Sequence, residues 1–211
     1  MPGRPHQLTT VELGDDPGAW RAAGFDVDGS GSFALGGTTV RCTGTGDGFL
    51  GWVLDGIDGE LDGLPVLTAA TSSSGDAPSA HPNGIATIDH VVVRTGDCDR
   101  TIAAFGSAGL EVRGGRSTTS YGAPMRQTFF WAGDVILEAV GPDAGEPTPE
   151  EARSIFGLAL VAPDLEVTAA RLGDLLGTPK DAVQPGRRIA GLRGKDVGIR
   201  LPVAVMSPHP A

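Results

Sequence analysis

Ile88-Asp89-His90-Val91-Val92-Val93 is a run rich in β-branched residues, and Arg94-Thr95-Gly96-Asp97 follows it directly. The run reads as a strand, and Asp97 reads as the cap of a helix through DRTIAAFGSAG, residues 99–109. Three β-rich runs come next: LEVRG at 110–114, MRQTFFWAG at 125–133 and VILEAVGP at 135–142. The unit is therefore strand, helix and three strands. The same order returns after a charged connector, Asp143 to Arg153, with Gly157-Leu158-Ala159-Leu160-Val161 as strand, Asp164 as cap and LEVTAARLGDLL as helix. RRIAGLRG at 187–194 and VGIRLPVAVMSP at 197–208 complete that copy.

A third copy is expected at the front of the chain. LTTVEL at 8–13 alternates like a strand, Asp15-Asp16-Pro17 opens a helix through GAWRAAGF, and GSFALGG, TTVRCTG and FLGWVLDGI read as short strands between glycine turns. AGFDV at 23–27 echoes AGLEV at 108–112 after each helix, and WAGDVILE at 131–138 matches RGKDVGIR at 193–200. A Ser-, Gly- and Pro-rich stretch separates this copy from the others. The expected organisation is an N-terminal βαβββ-like module at 1–68, a linker at 69–85, and a domain of two modules at 86–142 and 155–208. A module of this length buries its sheet face by pairing with another.

Composition removes several classes of function. Of 211 residues, 16 are Lys or Arg and 26 are Asp or Glu, a formal net charge of −10, so counterion release from nucleic acid cannot drive binding. No apolar run approaches the roughly 18 residues of a membrane span, and no apolar signal core follows Met1, so a cytoplasmic protein is expected. Cys42 and Cys98 lie in different segments and read as small hydrophobes, not as a disulfide or metal pair.

The segment from Ile88 to Pro142, with the weaker copy after it, resembles the glyoxalase, bleomycin-resistance and extradiol-dioxygenase group, the vicinal oxygen chelate superfamily. The resemblance implies an α+β fold in which repeated βαβββ modules pair into an open, U-shaped mixed sheet with helices on the outer face. It also implies a cleft that holds a divalent ion in the metal-dependent members, with one ligand from the first strand and one from the last strand of each module. His90 and Glu138 fill those places in the first of the paired modules. They would suit Zn, Ni, Mn or Fe(II), with Glu138 the candidate catalytic carboxylate. In the second, aligning Asp164 with Asp97 sets Gly157 opposite His90, and aligning Asp196 with Asp134 sets Arg200 opposite Glu138. Glycine has no side chain and a guanidinium has no acceptor, so half of the metal site is expected to be missing and no cofactor is expected.

Candidate ligand-binding groups follow from residue chemistry. Arg126 and Gln127 in PMRQTFF, and Arg187 and Arg188 in QPGRRIA, fall on equivalent strand stretches and offer planar donors for a carboxylate or carbonyl. Strand alternation forbids Arg126 and Gln127 from sharing a face. Arg200 is expected to pair with Glu138 or with an anionic ligand, and Tyr121 lies in a polar loop able to cover the cleft. GDGFLG at 46–51 satisfies GxGxxG but leads into a strand rather than a helix, so it is no dinucleotide site. DVDGSG at 26–31 starts like a calcium loop, but Gly37 stands where the bidentate Glu belongs.

Two principal functions are expected. The first is a protein that binds a small organic molecule between the paired modules without a complete metal site. The second is a metal-dependent lyase, isomerase or dioxygenase that completes the site with another ligand, such as Gln184. A non-catalytic assembly protein is a third reading. Because the N-terminal module has no partner of its own kind, a homodimer that covers its sheet is expected as well.

Overall fold

The computed structural model describes residues 6–46, 48–68, 80–119, 123–143 and 154–210. The first unit contains β1 (Leu8–Leu13), α1 (Pro17–Ala22), β2 (Ser32–Leu35), β3 (Thr38–Cys42), β4 (Phe49–Leu54), β5 (Gly59–Leu61) and β6 (Leu64–Val66). The second contains β7 (Thr87–Arg94), α2 (Cys98–Ser107), β8 (Val112–Thr118), β9 (Met125–Ala132), β10 (Val135–Pro142), β11 (Ile155–Val161), α3 (Leu165–Leu172), β12 (Lys180–Asp181), β13 (Arg188–Leu192) and β14 (Val203–Met206).

The helices begin and end where side-chain chemistry dictates. Asp16, Asp97 and Asp164 cap them, accepting from Gly18 N, Arg100 N, and Glu166 N with Val167 N. The AGFDV and AGLEV echo is a shared helix stop. Gly24 and Gly109 both have positive φ, and the residue after each bonds back five positions, Phe25 N to Trp20 O and Leu110 N to Phe105 O. This is the Schellman motif, which needs a left-handed residue that glycine adopts without strain, and its apolar contact is present as Trp20 against Phe25 at 5.1 Å between centroids.

The second unit forms an open eight-stranded mixed sheet in the order β12-β13-β14-β11-β7-β10-β9-β8. Each module contributes four strands, its first pairing in parallel with its last, and β7 joins β11 antiparallel at the pseudo-two-fold. Val91, Phe105, Phe130, Leu137, Leu160 and Val205 are fully buried.

The first unit is not a third βαβββ copy. Its sheet runs β2-β3-β1-β4-β6-β5, with β1 parallel to β3 but antiparallel to β4, and β4 parallel to β6. Strand β4 therefore opens a second, shortened half in which four residues replace the helix. The unit is itself a compressed pair with the same central antiparallel join as the larger sheet. Glycine-separated strands announce that strands exist, but not which strand lies beside which.

The two units share one apolar core, to which Leu8, Val11, Leu13, Trp20 and Trp52 contribute from the first. Between them Gly36 N donates to Ala86 O at 2.9 Å, Asn83 Nδ2 donates to Ala23 O at 2.9 Å, and Arg100 Nε donates to Asp62 Oδ1 at 2.7 Å. The first sheet's apolar face is thus covered within its own chain, which removes the reason for expecting a dimer. Both cysteines are buried and unbridged, and burial pushes the Cys42 thiol up to about 12. Among the described residues no helix is long and apolar enough to cross a membrane.

Candidate functional site

A cleft of about 310 Å³ opens on the face of the eight-stranded sheet that carries His90, Phe129 and Ile136, between the two modules. Its wall is mostly polar and basic, with Asp89, Arg113, Arg116, Arg187 and His209 besides His90. Two β-bulges build it. Along β7, His90 pairs with Ala159 and Ile88 with Leu160, so Asp89 is an extra residue with no partner of its own. Along β8, Val112 pairs with Phe130 and Gly114 with Phe129, which leaves Arg113 over in the same way. A bulge shifts the parity of a strand, and here each brings one additional charged side chain to the cleft.

Asp89 ties the modules together at the cleft floor. His90 Nδ1 donates to Asp89 Oδ2 at 2.7 Å and Arg187 Nη2 donates to Asp89 Oδ1 at 2.8 Å. Burial works to raise the carboxyl of Asp89, but the hydrogen bonds from His90 and Arg187 outweigh it and hold the group well below the usual carboxylate range. Arg187 is buried, with 1% of its side chain exposed, and also donates through Nε and Nη2 to the Ser207 carbonyl at 2.9 and 2.8 Å. Its Nη1 lies 3.2 Å from His209 Nε2.

A second polar chain runs beneath the wall. Arg116 Nε donates to Gln127 Oε1 at 2.6 Å, Gln127 Nε2 donates to Glu138 Oε1, and Glu138 Oε2 lies 3.5 Å from His90 Nε2. The imidazole is held between two carboxylates. Arg116 stacks over Phe129 at 5.6 Å and Arg113 over Trp131 at 4.8 Å, contacts that fix the guanidinium planes without neutralising them.

The sequence candidates divide cleanly. His90, Gln127 and Glu138 come together at the site. Arg126 turns to the helix face and pairs with Asp99 of α2 at 2.6 Å, as alternation requires once Gln127 faces the cleft. Arg188 bonds to Glu166 of α3 and to the Pro179 carbonyl, so the cleft arginine of that pair is Arg187. Arg200 lies outside any strand. Its backbone N donates to Asp15 Oδ1 at 3.1 Å and its guanidinium sits beside Gly46 of the first unit, so it makes no pair with Glu138. Tyr121 falls outside the described residues.

The structural register keeps Gly157 in the place that answers His90 and corrects only that of Arg200. Thr95 N donates to Val140 O as Ala162 N does to Met206 O, Arg94 pairs with Val140 as Val161 does with Met206, and the extra residues Asp89 and Phe156 match, so Gly157 answers His90 and Ala204 answers Glu138. The Asp134 and Asp196 match misled because Asp196 lies in a 3-10 turn rather than at a hairpin. Gly157 is glycine for packing, since a Cβ there would meet the Pro202 carbonyl oxygen at 2.5 Å. Glycine has no side chain and an alanine methyl has no donor atom, so neither can ligate an ion. Among the described residues no group of three or more His, Cys, Asp or Glu is placed to hold a metal, and the donors present do not fit one.

Asp89, Arg113 and Arg116 escaped the sequence reading. Alternation alone would put Arg113 and Arg116, three residues apart, on opposite faces, and the bulge that brings them together depends on pairing with β9.

No protein-family model and no curated protein matches the chain. Solved structures do. A xylose isomerase-like TIM barrel/4-hydroxyphenylpyruvate dioxygenase fusion protein aligns over 99% of this chain and 50% of its own, at 11% identity and a TM-score of 0.61. The 4-hydroxymandelate synthase of Streptomyces coelicolor aligns over 98% of this chain and 94% of its own, at 13% identity and a TM-score of 0.56. Methylmalonyl-CoA epimerase from Mycobacterium tuberculosis covers 68% of this chain and 94% of its own at 17% identity and a TM-score of 0.47. The first two likenesses span both sheets, and at these identities they establish the fold alone.

Proposed function

From a chain that has the vicinal oxygen chelate fold, the fold of the glyoxalase, bleomycin-resistance and extradiol-dioxygenase group, we propose a protein that binds a small organic anion in the cleft between its paired modules. One observation carries this reading. Arg113 and Arg116 line the cleft, lie against aromatic rings, and have no carboxylate partner among the described residues. In a chain of net charge −10, two such guanidinium groups on one concave surface favour an anionic ligand, because a planar fork binds a carboxylate through paired, charge-assisted hydrogen bonds.

The ligand is held by protein groups alone. Asp89, His90 and Arg187 set the floor, Gln127 fixes Arg116 through Nε while leaving its terminal nitrogens for the ligand, and Phe129 and Ile136 give the apolar wall. Glu138 lies behind His90 and orients it. Calorimetric titration of the full chain with hexanoate at low ionic strength tests the reading. Saturable binding that disappears in the Arg113→Gln/Arg116→Gln double variant is expected, and no heat of binding in the wild type refutes it.

A further inference from the structure

Resting on the anion-binding reading above, we infer that the ligand of this cleft carries two negative charges: the site is built for a small dicarboxylate or phosphate monoester rather than for a simple acid. Among the residues of the wall, three are arginines and one is a carboxylate. That carboxylate, Asp89, is already committed to Arg187 at 2.8 Å and to His90 at 2.7 Å. Two permanent positive charges, Arg113 and Arg116, are left without a carboxylate partner among the described residues.

Their placement makes them act as a pair. Regular alternation would put residues three apart on opposite faces of β8, and the bulge at Arg113 cancels that offset and turns both to the cleft. Only Gly114 and Gly115 separate them, and a Cβ added at Gly114 would meet nothing within 4 Å, so open space lies between the two side chains. Arg116 gives one nitrogen to Gln127 and keeps both terminal nitrogens, while Arg113 makes no hydrogen bond to a described residue. Glu138, the carboxylate behind Gln127, is buried and held by Gln127 and His90. A single carboxylate can satisfy one fork, and a dianion satisfies both. The volume of about 310 Å³ restricts the dianion to a small molecule.

The test uses the intact chain at pH 8 and constant ionic strength, titrated separately with hexanoate, adipate and pentyl phosphate. Adipate and hexanoate have the same carbon skeleton and differ in the second carboxylate, and pentyl phosphate places both charges on one group. At least one dianion is expected to bind about tenfold or more tightly than hexanoate, the arm that does so identifying dicarboxylate or phosphate chemistry. Arg113→Gln, at an exposed position, is expected to reduce that advantage to about twofold while hexanoate still binds. Equal affinity for all three probes, or an advantage that survives Arg113→Gln, overturns the inference and leaves the anion-binding reading standing. Failure of all three to bind overturns both.

Discussion

Asp89 and His90 are consecutive residues of one strand, and their side chains meet on the same face, with Nδ1 of the imidazole 2.7 Å from Oδ2 of the carboxylate. A bulge makes this possible by removing Asp89 from the pairing register. It gives the cleft a carboxylate that belongs to both modules, since Arg187 of the other module binds its second oxygen.

Removing that carboxylate leaves a buried guanidinium without its counter-ion. Asp89→Asn is expected to cost on the order of 3 to 5 kcal/mol in urea unfolding at pH 7. A loss below about 1 kcal/mol would mean that Arg187 is not held by Asp89.

The pH dependence follows from the same group. The folded state holds the carboxyl of Asp89 below its unfolded value of about 3.9, so its contribution is fully present above that pH and is lost as the pH falls toward the folded value. Between pH 4 and 2 the wild type is expected to lose stability more steeply than Asp89→Asn. Parallel slopes for the two proteins would contradict the assignment.

Arg116→Gln leaves the core untouched and is expected to change stability by less than about 1 kcal/mol while weakening hexanoate binding about tenfold or more. Arg200→Gln serves as the contrast. Its side chain lies beside Gly46 in the first unit, so hexanoate affinity should stay within about twofold of wild type. A matching loss in both variants would point to general electrostatics rather than to the cleft.

Protein purified without an affinity tag is expected to carry well under one equivalent of Zn, Ni, Mn or Fe after dialysis. Chelation should leave the thermal midpoint and hexanoate binding unchanged. The basis is the Gly157 and Ala204 pair at the positions that answer His90 and Glu138. Stoichiometric metal that survives dialysis would show that other donors complete the site.

The shared core predicts a single cooperative unfolding transition for the full chain, with Cys42 reacting with a thiol reagent only after unfolding. A fragment beginning at Gly84 should lose that cooperativity, because residues such as Ile85 and Phe105 lie in the core cluster shared with the first unit. Two separate transitions in the full chain would show that the units fold independently.

Local chemistry was legible in the order of residues. Asp97 and Asp164 start helices, Gly24 and Gly109 stop them, and the β-branched runs form strands, because caps, left-handed turns and side-chain periodicity act over a few residues. The eight-stranded half of the fold and the meeting of His90 with Glu138 followed from that reading and the family resemblance. What depended on pairing between distant strands did not. The partner of β4, the choice of Gln127 over Arg126 and of Arg187 over Arg188, and the place of Ala204 rather than Arg200 are questions of register, and one extra residue in a strand reverses every facing beyond it. Asp89 and Arg113 lie at those extra residues, so only the assembled sheet could show that they belong to the site.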